Sequence, residues 1–227
     1  MFEQVNKRRH PTRTFPEFFQ HIKKCGFSPS VCIDVGAASG TMSIYQSFPD
    51  ACHIVFEPLA DFHRDLEANM RSYKHEIHHC ALMAKPGKRR LLRHPDKFGS
   101  SLMHRRQGRS SDLVEIEVQR LDDVLEGRDL SNGVLLKTDC QGADLFVIEG
   151  APKTLRSVDV VIMECSLFKF WGEHHPELYE IVTYMHARGF VVYDLLEGIF
   201  RPFDGALGQI DVVFVKADGP FRKAHQW

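Results

Sequence analysis

The sequence lacks several features that would place it in a specialised class of protein. Its longest apolar runs are short, such as Val158–Cys165, and none approaches the ~20 residues that a membrane-spanning helix needs. No Cys-x-x-Cys pair occurs among the six cysteines, which excludes zinc-ribbon and thioredoxin-like proteins. No repeat period or low-complexity segment is visible. The net charge of -1 argues against a globally basic protein that binds nucleic acid.

The composition that remains is that of an ordinary globular protein. The 227 residues are 43% hydrophobic and 26% charged, and at roughly 150 residues per domain they predict one domain with an elaboration. Residues 1–14 are polar and basic with no apolar core segment, so we expect no secretory signal. Most of the cysteines lie in or beside apolar strand-like runs, as reduced thiols do, which favours a cytoplasmic location.

Strand and helix patterns alternate along the chain. Apolar residues at Phe15, Phe18, Phe19 and Ile22 predict an amphipathic helix before the first strand. Helices are also predicted at 41–48, 59–73, 142–150 and around 178–185. Strands are predicted at 31–35, 52–56, 77–82, 134–138, 158–164, 190–196 and 210–216. This alternation indicates a doubly wound α/β fold whose mainly parallel sheet is covered on both faces.

Three segments depart from this alternation. Residues 1–30 are interpreted as a basic tail and the amphipathic helix, and residues 218–227 as a C-terminal tail, around a main domain at 31–217. Within that domain, residues 83–130 contain strictly alternating apolar positions and predict a β-rich insertion. The last two strands are joined by an irregular segment rather than a crossover helix, so we expect them to form an antiparallel pair.

The turn after the first strand has the pattern of a nucleotide site. Gly36 and Gly40 flank a tight strand-to-helix turn whose backbone amides favour an anionic group. Glu57 ends the second strand, where a carboxylate accepts hydrogen bonds from a ribose diol. The spacing Gly-x-x-x-Gly lacks the second glycine of a dinucleotide site, and no Gly-Lys-[Ser/Thr] follows it. S-adenosylmethionine therefore fits best, with Asp34 supplying negative charge near its cationic end.

Several motifs together resemble the FkbM family of S-adenosylmethionine-dependent methyltransferases. The segments that carry the resemblance are Asp34-Val-Gly-Ala-Ala-Ser-Gly40, Val55-Phe-Glu57-Pro58, Leu121-Asp-Asp123, Lys137-Thr-Asp-Cys-Gln-Gly142, Glu164, and Asp194, Gly205 and Asp211 near the end. The resemblance implies a seven-stranded class I methyltransferase fold, Rossmann-like, with an antiparallel last strand. It also implies methylation of hydroxyl groups on sugars, polyketides or other small natural products.

Two positions depart from the family pattern. Ala38 stands where the family usually has asparagine. Gln141 stands in Asp139-Cys-Gln-Gly-Ala-Asp144 where the family usually has a glutamate, so no carboxylate is available at position 141.

The candidate site residues follow from these motifs. The expected cofactor-binding residues are Asp34, Gly36, Ala37, Gly40, Glu57, Pro58, Ala81, Ser101 and Asp139. By resemblance, Ser100 or Ser101 closes over the cofactor. The expected catalytic residues are Asp139, Glu164 and His174, because an alcohol must lose its proton to a base. For Asp139 a helix N-cap is the alternative role, for Glu164 a solvated strand end, and for His174 or His175 a helix entry.

The acidic residues could also serve as metal ligands, and a separate basic segment bears on the acceptor. Asp139, Asp144 and Glu164 carry oxygen ligands that suit magnesium or calcium, but Asp144 is expected to begin a helix, so no metal is assigned. Residues 85–109 hold nine Lys or Arg against one Asp, which suits an anionic acceptor, a glycolipid head group at a membrane surface, or simply a solvated face.

The sequence thus predicts a methyltransferase that transfers the methyl group of S-adenosylmethionine to a hydroxyl of a sugar or natural product. Its expected partner is a small-molecule or glycan acceptor and not a nucleic acid, and peripheral membrane contact is compatible with the pattern. A protein or RNA methyltransferase and a non-catalytic nucleotide-binding module are the alternatives.

Overall fold

The computed structural model describes residues 12–103 and 112–226. The helices are α1 (Phe15–Lys24), α2 (Met42–Ser47), α3 (Ala60–Met70), α4 (Leu121–Val124), α5 (Asp144–Glu149) and α6 (Leu178–His186). The strands are β1 (Val31–Val35), β2 (Cys52–Phe56), β3 (His75–His78), β4 (Ala81–Leu82), β5 (Gly87–Leu92), β6 (Leu113–Gln119), β7 (Val134–Thr138), β8 (Val160–Ser166), β9 (Phe190–Phe200) and β10 (Leu207–Lys216). None of the helices among these residues is long and apolar enough to cross a membrane.

Seven strands form the main sheet, in the order β3-β2-β1-β7-β8-β10-β9. Strand β10 is antiparallel to both of its neighbours, and the remaining pairs are parallel. The order reverses between β1 and β7, which is the switch point where doubly wound sheets bind ligands. The predicted fold, including the antiparallel last strand, is confirmed.

A second sheet of three strands, in the order β4-β6-β5, is built largely from the 83–130 segment. The single strand predicted at 77–82 was wrong in one respect, because it is divided between the two sheets. His75–His78 pairs with β2 in the main sheet, and Ala81–Leu82 pairs with β6 in the small one. Cys80 is buried at the turn between them, so an apolar run continues where the hydrogen bonding changes sheet. Residues 1–11 of the expected tail and 104–111 of the insertion lie outside the described residues.

Alternating residues of the strands belong to two apolar layers, one on each face of the main sheet. Leu136 and Val161 belong to the layer under α5 and α6, whereas Leu135 and Ile162 belong to the layer under α1 and α2. Helix α1 buries Phe18, Phe19 and Ile22 completely in the second layer. Its start is held by Thr14 and Glu17, which form a reciprocal capping box. The amphipathic helix therefore packs into the same core as the sheet.

Candidate active site

A cavity of about 140 Å³ lies at the carboxyl ends of β1, β2 and β7, beside the small sheet. The polar side chains of its lining include Glu57, Asp139 and Gln141, which lie beside the turn that carries Gly36 and Ala38. The apolar part of the lining includes Leu59, Phe62, Ala81, Leu82, Leu91, Phe98 and Leu102. The insertion therefore contributes, together with α3 and β4, to an apolar wall of the cavity. Sequence reasoning missed this wall, although the alternating apolar positions of the insertion were its signal.

The turn after β1 is packed against the ends of both β2 and β7. The amides of Gly36 and Ala37 donate to the carbonyl oxygen of Phe56 at 3.0 and 3.2 Å. Gly36 has a φ of +75°, and a Cβ at this position would lie 2.0 Å from the carbonyl oxygen of Asp139. Only glycine satisfies both conditions, so this residue lets two strand ends meet at the floor of the cavity.

Glu57 is a buried carboxylate whose two oxygens are both fixed by the backbone. Its Oε2 accepts from the amide of Ala38 at 2.8 Å, and its Oε1 accepts from the amide of Leu59 at 2.7 Å. Only 5% of the residue is exposed, and this burial raises the pKa of Glu57 to about 7 although both amides oppose the change. Each oxygen retains a lone pair, so the carboxylate is a rigid acceptor for two hydroxyl groups.

Asp34 does not line the cavity, contrary to expectation. Its carboxylate accepts hydrogen bonds from the hydroxyl of Tyr45, and from the hydroxyl and amide of Thr41 at 3.2 and 3.4 Å. Lys137 Nζ lies 3.9 Å away. Strand alternation places Asp34 on the same face as buried Cys32, so it holds the start of α2 from within the protein.

The other expected cofactor residues are divided between the cavity and its support. Gly36, Glu57, Pro58, Ala81 and Asp139 line the cavity. Ala37, Gly40 and Ser101 lie outside its lining.

The packing of Gly40 and Ser101 is specific. A Cβ at Gly40 would lie 3.0 Å from the ring of Tyr45. Ser101 is buried and its hydroxyl donates to the carbonyl oxygen of Gln141 at 2.6 Å, whereas the neighbouring Ser100 lines the cavity. Ser101 thus ties the insertion to the loop after β7.

Asp139, Gln141 and Glu164 meet next to this cavity. Gln141 Nε2 lies 3.1 Å from Asp139 Oδ1 and 3.2 Å from Glu164 Oε2, so one amide bridges two carboxylates. Burial raises the pKa of Glu164 well above its ordinary value, and the carboxylates of Asp139 and Asp144 raise it further. Lys137 Nζ donates to Asp139 Oδ2 at 3.2 Å. The strand ends therefore present two carboxyl groups in a partly desolvated crevice.

Asp139 does not have the alternative role of a helix N-cap, because the N-cap of α5 is Ala143 and no side chain caps this helix. The neighbouring acid Asp144 is the first residue of α5 and binds the loop before it. Its carboxylate accepts from the amides of Cys140 and Gly142 at 3.0 and 3.3 Å. Burial raises the pKa of Asp144 to about 6, with Asp139 adding to the effect. Within residues 12–103 and 112–226, no group of three or more His, Cys, Asp or Glu is placed to hold a metal ion.

The structure brings His175, and not His174, toward the crevice. His174 is exposed, whereas His175 is 2% exposed and packs with Trp171 against Gly142, where a Cβ would lie 2.9 Å from His175 Cδ2. The amide of His175 donates to the carbonyl oxygen of Gly172, and this turn directs one histidine inward and the other outward. Burial lowers the pKa of His175 to about 4, so the ring is neutral.

The basic segment 85–109 is partly neutralised by ion pairs. Lys88 lies 3.0 Å from Glu115, and Lys97 lies 3.3 Å from Asp61, which also pairs with Arg93. Arg105, Arg106 and Arg109 lie outside the described residues. Three of the six cations described in this segment, Lys88, Arg93 and Lys97, are therefore paired with acids.

Strand order, the glycine turn and the acid after the second strand define a class I methyltransferase. The sequence profile described as "Methyltransferase FkbM domain" matches residues 34–192, more than half of the chain, and the chain belongs to this family. The protein is accordingly an S-adenosylmethionine-dependent methyltransferase. No curated protein matches the sequence.

The comparison with solved structures found methyltransferases at very low sequence identity. A putative rRNA-methylase from Clostridium thermocellum is 7% identical, with a TM-score of 0.50 over 91% of this chain and 99% of that one. The 1,6-didemethyltoxoflavin-N1-methyltransferase of Burkholderia thailandensis, solved with S-adenosylhomocysteine, is 12% identical, with a TM-score of 0.49 over 89% of this chain and 76% of that one.

The residues around the cavity fit S-adenosylmethionine, which supplies a methyl group on a positively charged sulfur. The carboxylate of Glu57 suits the ribose diol. The apolar wall suits the adenine ring. The cavity thus offers matching surfaces to the nucleoside part of the cofactor.

Proposed function

We propose that this methyltransferase acts on a hydroxyl group of a small acceptor, a sugar or a natural product. The observation that carries the proposal is the pair of carboxyl groups, Asp139 and Glu164, which Gln141 bridges beside the cofactor cavity. Amino-group methyltransferases of this class carry an Asp/Asn-Pro-Pro-Tyr/Phe motif after the fourth strand of the domain. This chain has Asp139-Cys-Gln-Gly142 at that place, which favours oxygen over nitrogen as the acceptor atom.

Methylation of an alcohol needs positioning and a base. Holding two reactants at near-attack distance supplies about 7–11 kcal/mol of the barrier reduction. Glu164 is the base in this proposal, because burial among other acids raises its pKa, so that its ionised carboxylate is a stronger base than an ordinary one. Asp139 orients the acceptor hydroxyl at the cavity rim. Although burial disfavours its charge, Lys137 stays protonated, since Asp139 and Asp34 hold the pKa of Lys137 above its ordinary value.

The charge of the crevice bears on the acceptor class. The acceptor side carries the carboxyl groups of Asp139, Glu164 and Asp144, and Lys137 is already paired with Asp139. These described residues therefore offer a phosphate group no unpaired cation, which supports a small neutral acceptor over RNA. In the basic segment, Lys88, Arg93 and Lys97 are paired with acids, which leaves less positive charge for an anionic acceptor. The six cysteines are free, which supports a reducing compartment such as the cytoplasm.

The test is to incubate the purified protein with S-adenosylmethionine and pools of hydroxylated metabolites, glycans, amines and RNA. We expect S-adenosylhomocysteine and a product heavier by one methylene on a hydroxyl, detected by mass spectrometry. Glu164→Gln is expected to lower the rate about 10²–10⁴-fold. The exposed Asp65→Asn on α3 is the matched control. Methylation confined to amines or RNA contradicts the proposal, and cofactor binding without any product indicates a non-catalytic module.

A further inference from the structure

Asp211 lies directly opposite Glu164 across the antiparallel strands β8 and β10. Two residues inward on the same face, Ile162 and Val213 also lie opposite each other, buried in the core. Directly opposite residues of an antiparallel pair have Cβ atoms about 4.5–5.5 Å apart. The register therefore places the two carboxyl groups side by side above an apolar pair.

The surroundings of this carboxyl pair are mostly negative. The charged groups that face it are Lys137 and Asp139 at the end of β7, Asp144 at the start of α5, and Glu197 on β9. Lys137 is shared between Asp139 and Asp34, so it compensates the pair only in part. Burial raises the pKa of Asp211 to about 7 and that of Glu164 well above its ordinary range. Two buried carboxyls at this spacing cannot both ionise readily.

One side-chain amide connects the pair to the crevice, and another lies further along the same strand face. Gln141 bridges Glu164 to Asp139 at the rim of the cavity. Gln209 lies opposite Ser166, two residues beyond the pair on the same face. Its Nε2 is buried and has no hydrogen-bond partner among the described residues. A buried donor without a partner is available for an oxygen atom of a ligand.

We propose that Asp211 is a positioning residue that acts through Glu164. Its facing carboxylate makes the ionised form of Glu164 a stronger base, which suits Glu164 to take the hydroxyl proton of the acceptor. This rests on the proposed O-methylation. In that step the proton moves from the acceptor oxygen to Glu164, and the oxygen's electron pair forms the new bond to the methyl carbon. The bond from carbon to sulfur breaks with its electron pair on sulfur, which yields S-adenosylhomocysteine, and Glu164 then returns its proton to solvent.

The direct test is a carboxyl ¹³C NMR titration of the full-length protein, with the Glu164 signal assigned by its loss in Glu164→Gln. In Asp211→Asn we expect Glu164 to titrate about one pH unit or more lower than in the wild type. Asp211→Glu keeps the facing charge and should largely restore the wild-type titration. Asp65→Asn removes an exposed carboxylate from α3 and should leave it unchanged. An unmoved Glu164 titration in folded Asp211→Asn overturns the proposal.

A rate measurement separates this proposal from the function on which it rests. The methylation rate is measured against pH with a hydroxyl compound that the wild-type protein methylates. In Asp211→Asn the rise of this rate should move to lower pH, and its plateau should fall several-fold. A lower plateau with an unmoved rise indicates a purely structural role and overturns the proposal. If the NMR titration shifts but no hydroxyl acceptor yields S-adenosylhomocysteine, the coupling of the pair is supported and O-methylation is refuted.

Discussion

Replacement of Glu57 by alanine tests the assignment of the cofactor cavity. Its carboxylate is fixed by two backbone amides at 2.7 and 2.8 Å, so it is already oriented before a ligand binds. Hydrogen bonds to a charged group contribute about 1.5–3 kcal/mol each, and part of this is lost to desolvation. We therefore expect Glu57→Ala to weaken cofactor binding by about 1–3 kcal/mol, which is about 5- to 150-fold in Kd.

The pH dependence gives this prediction a second measurement. Hydroxyl groups donate best to the ionised carboxylate, and the pKa of Glu57 is raised to about 7 in the protein without ligand. Cofactor affinity, measured by isothermal titration calorimetry, should therefore rise as the pH increases through about 7, and this rise should be absent in Glu57→Ala.

The control for this experiment is Asp65→Asn, which removes an exposed carboxylate away from the cavity. Circular dichroism and thermal unfolding should be recorded for each variant, because Glu57 also holds the Ala38 and Leu59 amides. A folded Glu57→Ala protein that binds the cofactor with wild-type affinity at pH 8 would refute the assigned ribose contact.

Two other substitutions separate packing from binding. Gly36→Ala places a Cβ against the Asp139 carbonyl oxygen and should lower the free energy of unfolding, measured by urea titration, by about 1–3 kcal/mol. Gly127→Ala is the control, because Gly127 has a similar φ but open space around it, and its cost should be smaller. Equal costs for the two variants would contradict the close approach at Gly36. Phe98→Ala removes a ring that is 64% exposed yet lines the cavity, so it should weaken cofactor binding several-fold with little change in Tm. Phe203→Ala, at 88% exposure outside the cavity lining, is its control, and equal calorimetric affinities for the two variants would contradict a role for Phe98.

Local patterns determined the main sheet and the place of two residues that line the cavity. Apolar strands that alternate with helices leave few alternatives to a doubly wound sheet, and the irregular segment before β10 indicated the antiparallel end. Gly36 and Glu57 could be placed at the carboxyl edge of the sheet because both directly follow a strand. In a parallel sheet, the ends of neighbouring strands meet at one edge, so their proximity follows from chain order alone.

Tertiary structure decided the features that depend on direction and on distant pairing. Asp34 is turned into the core by strand alternation, and of the two neighbouring histidines it is His175 whose side chain is buried against Gly142. The alternating apolar positions of the insertion indicate its strands, but only the assembled fold places them beside the strand ends. Asp211 meets Glu164 only through the register of two antiparallel strands. Such contacts depend on how elements pack across the whole chain, so they are visible only once the strands are assembled.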